Sequence, residues 1–145
     1  SMLQEKLIRY LKLQTKCPSW LYEVNQGATT IWENYISYKE DGSPVMTSLN
    51  HYAFGCVDDW MFRKISGIDM AAPGFKKIVI APEPDNAFTS AKRTYMSEYG
   101  EIAVGWSMDK GKFKLKVKIP CNTTAVVKMP DGRLYKVGSG MYQFE

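Results

Sequence analysis

Within residues 20–52 stand Trp20, Tyr22, Trp32, Tyr35, Tyr38, His51 and Tyr52, with Glu33 directly after Trp32. This stretch holds two of the four tryptophans and the only histidine of the 145-residue chain. Aromatic faces stack on the apolar C–H face of a sugar ring, and their polar edges hydrogen-bond its hydroxyls. Carboxylates set among such rings are typical of acetal-cleaving sites. Ile31 and Trp32 precede Glu33 and would desolvate it in part, raising its pKa toward the range useful for proton transfer. His51 admits three roles: a satisfied core residue, a helix-end residue or a sugar ligand. The same aromatic residues also make ordinary cores, and a glutamate after a tryptophan can be a plain surface group, so composition leaves both readings open.

Other residue types offer less. Cys17, Cys56 and Cys121 are far apart and odd in number, which fits neither a disulfide framework nor a zinc site; three small, mostly buried thiols are expected. No metal site and no cofactor motif is found. The run Lys112-Phe113-Lys114-Leu115-Lys116-Val117-Lys118-Ile119 alternates strictly, placing four lysines on one face of a strand and four apolar residues on the other. No aromatic residue lies on the lysine face, which weakens a nucleic-acid reading; a solvated sheet face or a lysine-protected edge is expected instead.

The elements that must position these residues change period along the chain. Leu3, Leu7, Ile8 and Leu11 recur at helical spacing, predicting a helix from Leu3 to about Gln14 that Pro18 stops. Thr29 or Thr30 is placed to cap a short helical turn through Glu33. Residues 39–44 (KEDGSP) form a loop. Ala53, Val57, Trp60, Met61 and Ile65 predict a second helix from about Ser48 to Ser66, with Gly67 ending it. From Phe75 onward short β-branched and aromatic runs alternate with turn signals at Asp85-Asn86, Tyr99-Gly100, Lys110-Gly111, Asp131-Gly132 and residues 138–140. Seven or so such strands imply an antiparallel β-sandwich, with Trp106, Tyr95, Tyr135 and Tyr142 in its core. The expected fold class is therefore α+β: a helical segment over residues 1–70, too small to bury a core alone, then a sandwich over residues 71–145.

Charge follows the same division. Residues 1–70 carry seven Lys/Arg against eight Asp/Glu, a net of −1, and residues 71–145 carry twelve against seven, a net of +5. This suggests two units with different tasks. No apolar run reaches the roughly 20 residues of a membrane-spanning helix, and no membrane partner is expected. The first residues have no continuous apolar stretch of the signal-peptide kind. Ser1-Met2 reads as a cloning scar before an internal segment, which leaves the compartment open.

Cys17-Pro18-Ser19-Trp20-Leu21-Tyr22, then Gln26-Gly27-Ala28-Thr29-Thr30-Ile31-Trp32-Glu33 and Ser48-Leu49-Asn50-His51-Tyr52-Ala53-Phe54-Gly55, resemble bacterial α-L-rhamnosidases of glycoside hydrolase family 78 in order and spacing. Ala72-Pro73-Gly74-Phe75-Lys76-Lys77-Ile78 resembles the family's passage into its last domain. The resemblance covers nearly the whole chain. It implies the last helices of an (α/α)6 catalytic barrel followed by a C-terminal β-sandwich. It also implies hydrolysis of terminal α-L-rhamnose from glycosides with inversion, which needs two carboxyl groups roughly 6.5–9.5 Å apart. By the resemblance, Glu33 is the general base, His51 lines the rhamnose pocket and Trp32 supports its wall. The family's general acid belongs to an upstream motif with no match here, so the chain is read as a fragment, inactive alone, whose partner is the N-terminal part of its own parent. After Trp32-Glu33 the family usually has Arg-Trp where this chain has Asn34-Tyr35, a change at the pocket rim. A barrel fragment would expose apolar surface and self-associate. The competing reading is a non-catalytic carbohydrate-binding or barrel-packing β-domain with a vestigial pocket.

Overall fold

The computed structural model describes residues 14–39, 41–85 and 88–145, so nearly all of the helix expected from Leu3 to about Gln14 lies outside the described residues. The chain divides into two compact units, Ser1–Asp58 and Asp59–Glu145.

The first unit has little regular structure among its described residues. A six-residue helix, Trp20–Asn25, begins at Ser19, whose buried hydroxyl accepts the Tyr22 amide at 3.0 Å. This satisfies one of the orphan donors of the first turn. Gln26 and Gly27 turn the chain out of it, Gly27 at φ +85°. The helical turn expected through Glu33 is absent; residues 28–35 run as irregular chain and bends. The loop at residues 39–44 is a tight reversal, with the Lys39 amide on the Ser43 carbonyl at 2.9 Å and a bridge between Tyr38 and Pro44.

The second expected helix is shorter and less regular than its periodicity suggested. It starts at Ala53, not near Ser48, as a 3₁₀ turn Ala53–Cys56 followed by an α turn Val57–Trp60 and a π turn Met61–Ile65. The Ser66 amide donates to the Met61 carbonyl five residues back, and the Ser66 hydroxyl donates to the Phe62 carbonyl at 2.6 Å. Gly67, at φ +79°, ends the run. A Cβ there would lie 2.2 Å from the Pro82 nitrogen, so both conformation and space call for glycine.

The second unit is a sandwich of two four-stranded sheets. One is ordered β1 (Ile68–Met70), β2 (Lys77–Ile80), β6 (Thr124–Lys128), β7 (Leu134–Val137). The other is ordered β3 (Ser90–Ser97), β4 (Gly100–Asp109), β5 (Lys112–Ile119), β8 (Gly140–Phe144). All pairings are antiparallel except β2 with β6, which are parallel. The short strand β1 carries no turn signal long enough to mark it in the sequence.

Period-two burial builds the core. Ile102, Val104 and Trp106 of β4 and Leu115, Val117 and Ile119 of β5 point inward, with Val104 opposite Val117 and Trp106 opposite Leu115. Ile78 and Ile80 stand beside Ala125 and Val127 across the parallel pair. The Trp106 indole N–H reaches the Ile65 carbonyl at 2.7 Å, so its one polar atom is satisfied inside. Tyr135 and Tyr142 pack on this core, but Tyr95, expected within it, is exposed on β3 against Phe62 and Phe75. Lys112, Lys114, Lys116 and Lys118 line the outer face of β5. That strand lies between β4 and β8, so the lysines coat a solvated face and guard no edge. Lys114 pairs with Asp109 and Lys118 with Glu101, both at 3.0 Å.

Candidate active site

The residues singled out from the sequence all fall in the first unit, and main-chain pairing brings Glu33 and His51 together. Residues 30–33 run beside residues 48–51. The Thr30 hydroxyl donates to the Leu49 carbonyl, the His51 amide to the Ile31 carbonyl at 2.8 Å, and the Glu33 amide to the Ser48 carbonyl at 2.9 Å. Two groups eighteen positions apart are thus set on one ribbon by backbone bonds, which hold position better than side-chain contacts alone.

Glu33 is exposed, contrary to the desolvated setting expected beside Ile31 and Trp32. Trp32 turns inward, 4% exposed, while Glu33, the next residue, is exposed. Its Oε2 accepts the Ser48 amide at 2.9 Å and the Thr47 hydroxyl at 3.3 Å, and the Asn34 side-chain amide donates to that hydroxyl at 2.9 Å. The Ser48 amide is the main cause holding the Glu33 carboxyl below its ordinary pKa. Partial burial opposes it, and the Thr47 hydroxyl and the nearby His51 add to it. Glu33 is therefore an ionised acceptor at neutral pH, suited to taking a proton.

His51 is half-buried, its ring stacked on Tyr52 at 5.2 Å and 13°. Its Nδ1 accepts the Ala53 amide at 3.2 Å. In the neutral imidazole this assigns the proton to Nε2, which is then a donor. Tyr52 itself is 87% exposed.

The aromatic cluster read from the sequence resolves into three groups of rings. Trp20 meets Tyr35 and Phe54 edge-on at 5.6 and 6.1 Å, and Tyr35 stacks on Phe54 at 4.6 Å. Trp32 meets Tyr38 at 5.4 Å, and His51 meets Tyr52. The Trp32 ring is buried and packs on Tyr38. The three cysteines, expected to be mostly buried, are all exposed: Cys17 precedes the helix Trp20–Asn25, Cys56 ends the turn Ala53–Cys56, and Cys121 sits in a turn.

Glu23 was missed in the sequence. It is 2% exposed, and its Oε2 accepts the Trp32 amide at 3.4 Å. Oε1 has no hydrogen-bond partner among the described residues. Burial raises its pKa, and the Trp32 amide only partly opposes this. The available signal was its place three residues after Trp20, which puts both on one face of a helix whose other residues include no second charge. Among the described residues no cluster of three or more His, Cys, Asp or Glu could hold a metal ion, and no helix is long and apolar enough to cross a membrane.

Two family models match the chain: the bacterial α-L-rhamnosidase 6 hairpin glycosidase domain over residues 2–65, and the bacterial α-L-rhamnosidase C-terminal domain over residues 67–143. An α-L-rhamnosidase of Formosa agariphila is 47% identical over 116 residues, covering 78% of this chain and 12% of that protein. The crystal structure of native α-L-rhamnosidase from Aspergillus terreus superposes with a TM-score of 0.86 at 38% identity, over 91% of this chain and 16% of that one. That of the Streptomyces avermitilis α-L-rhamnosidase complexed with L-rhamnose gives 0.84 at 35% identity, over 92% and 15%. The chain therefore spans only about an eighth to a sixth of the length of these relatives.

Proposed function

This chain belongs to the bacterial α-L-rhamnosidase family, and we propose from that premise that it is the C-terminal part of an inverting α-L-rhamnosidase, with Glu33 as its general base. In this reading residues 1–70 complete the catalytic (α/α)6 barrel and residues 71–145 form the β-domain that follows it. The substrate is a glycoside or polysaccharide ending in α-L-rhamnose.

One observation carries the assignment of the base. Glu33 is solvent-facing yet held ionised by the Ser48 amide, the Thr47 hydroxyl and His51. In an inverting hydrolysis the base takes a proton from water as that water attacks the anomeric carbon, while an acid on the other face protonates the leaving oxygen. A base must be deprotonated and reachable, and Glu33 is both. The acid comes from the parent chain outside these residues. His51, with Nε2–H as donor, bonds a sugar hydroxyl, and buried Trp32 backs the wall that carries Glu33.

The test is hydrolysis of an aryl α-L-rhamnoside by the full-length parent, wild type beside Glu33→Gln. Turnover by the wild type with a loss of about a thousandfold in the variant supports the reading. An active Glu33→Gln enzyme rejects Glu33 as base, and an inactive wild type rejects the substrate class. The chain alone is expected to self-associate through apolar barrel surface, which light scattering checks; a clean monomer at high concentration removes that part.

A further inference from the structure

Trp32 is fixed by a carboxyl group that the hydrolytic reading leaves unused. Residues 31 and 33 spend their main-chain groups on the 48–51 segment: the Ile31 carbonyl accepts from His51, and the Glu33 amide donates to Ser48. The Trp32 amide shares a trans peptide with the Ile31 carbonyl and so points away from the 48–51 segment. The Trp32 amide would then face a buried interior with no backbone partner, and an orphaned buried amide is costly. Its partner is the Oε2 of Glu23, at 3.4 Å.

We propose that Glu23 is a positioning residue for Glu33, its buried carboxyl group holding the Trp32 amide so that the Glu33 carboxylate stays on the Ser48 amide. The inference rests on Glu33 being the base. Three further facts support it. Glu23 is 2% exposed on a helix fixed by the Ser19 cap and by the Ala28 amide on its own carbonyl at 3.0 Å, so the acceptor is held on rigid backbone. Among the described residues its other oxygen, Oε1, has no hydrogen-bond partner, so the Trp32 amide is the contact that holds the carboxyl group. And the contact reaches the main chain adjacent to Glu33, so a shift at Trp32 passes to Glu33 through one peptide bond. A misplacement of about 1 Å at a reacting group costs on the order of a hundredfold in rate.

The experiment compares the full-length parent with Glu23→Gln, Glu23→Asp, Glu23→Leu and Glu33→Gln, reading kcat, KM, the acid limb of the pH–rate profile and the melting temperature on an aryl α-L-rhamnoside. Glu23→Gln keeps an uncharged acceptor of the same length and is expected within about threefold of wild type. Glu23→Asp withdraws the acceptor by one methylene and Glu23→Leu removes it. Both are expected to lower kcat about tenfold or more with KM within about threefold. Both should also move the acid limb upward, as Glu33 loosens from the Ser48 amide that, with Thr47 and His51, keeps it ionised. If Glu23→Leu does not fold, Glu23→Asp decides. Wild-type kcat and acid limb in the Asp and Leu variants, with only the melting temperature lowered, overturn the inference. So does a Gln variant as impaired as Leu, which would assign the role to charge. With wild type active and Glu33→Gln dead, such results remove the positioning role alone. An inactive wild type or an active Glu33→Gln removes the base assignment, and the positioning role falls with it.

Discussion

Glu33 and Ser48 hold each other twice: the Glu33 amide donates to the Ser48 carbonyl at 2.9 Å, and the Ser48 amide donates to the Glu33 carboxylate at 2.9 Å. The first bond places the main chain, and the second orients the side chain and keeps it charged. A single residue thus sets both the position and the protonation state of the proposed base.

The acid side of the pH–rate profile should report this bond. Because the Ser48 amide holds Glu33 below its ordinary pKa, activity is expected to persist below the pH at which an unperturbed glutamate is half protonated. Thr47→Val removes only the weaker hydroxyl contact at 3.3 Å and should move the limb slightly upward. Ser48→Pro removes the amide and should move it further. A limb indifferent to both changes would place the base elsewhere.

Glu23 gives a stability signature of opposite sign. Its folded pKa is raised, so between the ordinary glutamate value and that raised value the native state keeps a proton that the unfolded chain has lost. Stability is fullest below the unfolded pKa and falls as pH rises through the folded one. Glu23→Gln cannot ionise, so it should gain stability relative to wild type as pH rises from the ordinary glutamate value through the raised one. Thermal unfolding at both ends of that range measures the difference, and an equal gap at the two ends would mean that Glu23 is not raised.

How far these features were legible depends on which interactions set them. The strands β4 and β5 were legible because each keeps one face buried, and the alternation of Ile102, Val104 and Trp106, or of the four lysines with their apolar partners, is written in the order of residues. The β-domain's turns were legible for the same local reason. The surroundings of Glu33 were not. Sequence neighbours suggested an apolar setting with a raised pKa, whereas the controlling group is the amide of Ser48, a contact no spacing rule encodes. Glu23 escaped notice because its burial comes from tertiary packing around Trp32. The run from Ala53 to Ile65 kept helical periodicity, but π and 3₁₀ turns at its ends are decided by packing and by Ser66.

Gly67 should resist substitution. Gly67→Ala meets a left-handed φ of +79° and drives its Cβ to 2.2 Å from the Pro82 nitrogen, a backbone atom that cannot step aside. A loss of more than about 2 kcal/mol is expected in denaturant unfolding of the parent. An alanine variant within a few tenths of wild type would show that this turn is free to rearrange.

The Trp106 indole gives a milder test in the core. Trp106→Phe leaves the Ile65 carbonyl without the N–H now bonded to it at 2.7 Å. A buried acceptor left unpaired costs about 2 kcal/mol, read as a lower unfolding midpoint. No change would mean that water reaches the Ile65 carbonyl once the indole is gone.

The parallel pairing of β2 with β6 decides the order in which the β-domain can assemble. Between these strands the chain makes β3, β4 and β5, most of the other sheet. The first sheet therefore cannot close by adding hairpins in turn; it waits for the chain to travel out, make three strands of the second sheet and return. Contacts so distant along the chain slow folding and concentrate its barrier in one closure event. The two sheets are then expected to form and melt in a single transition.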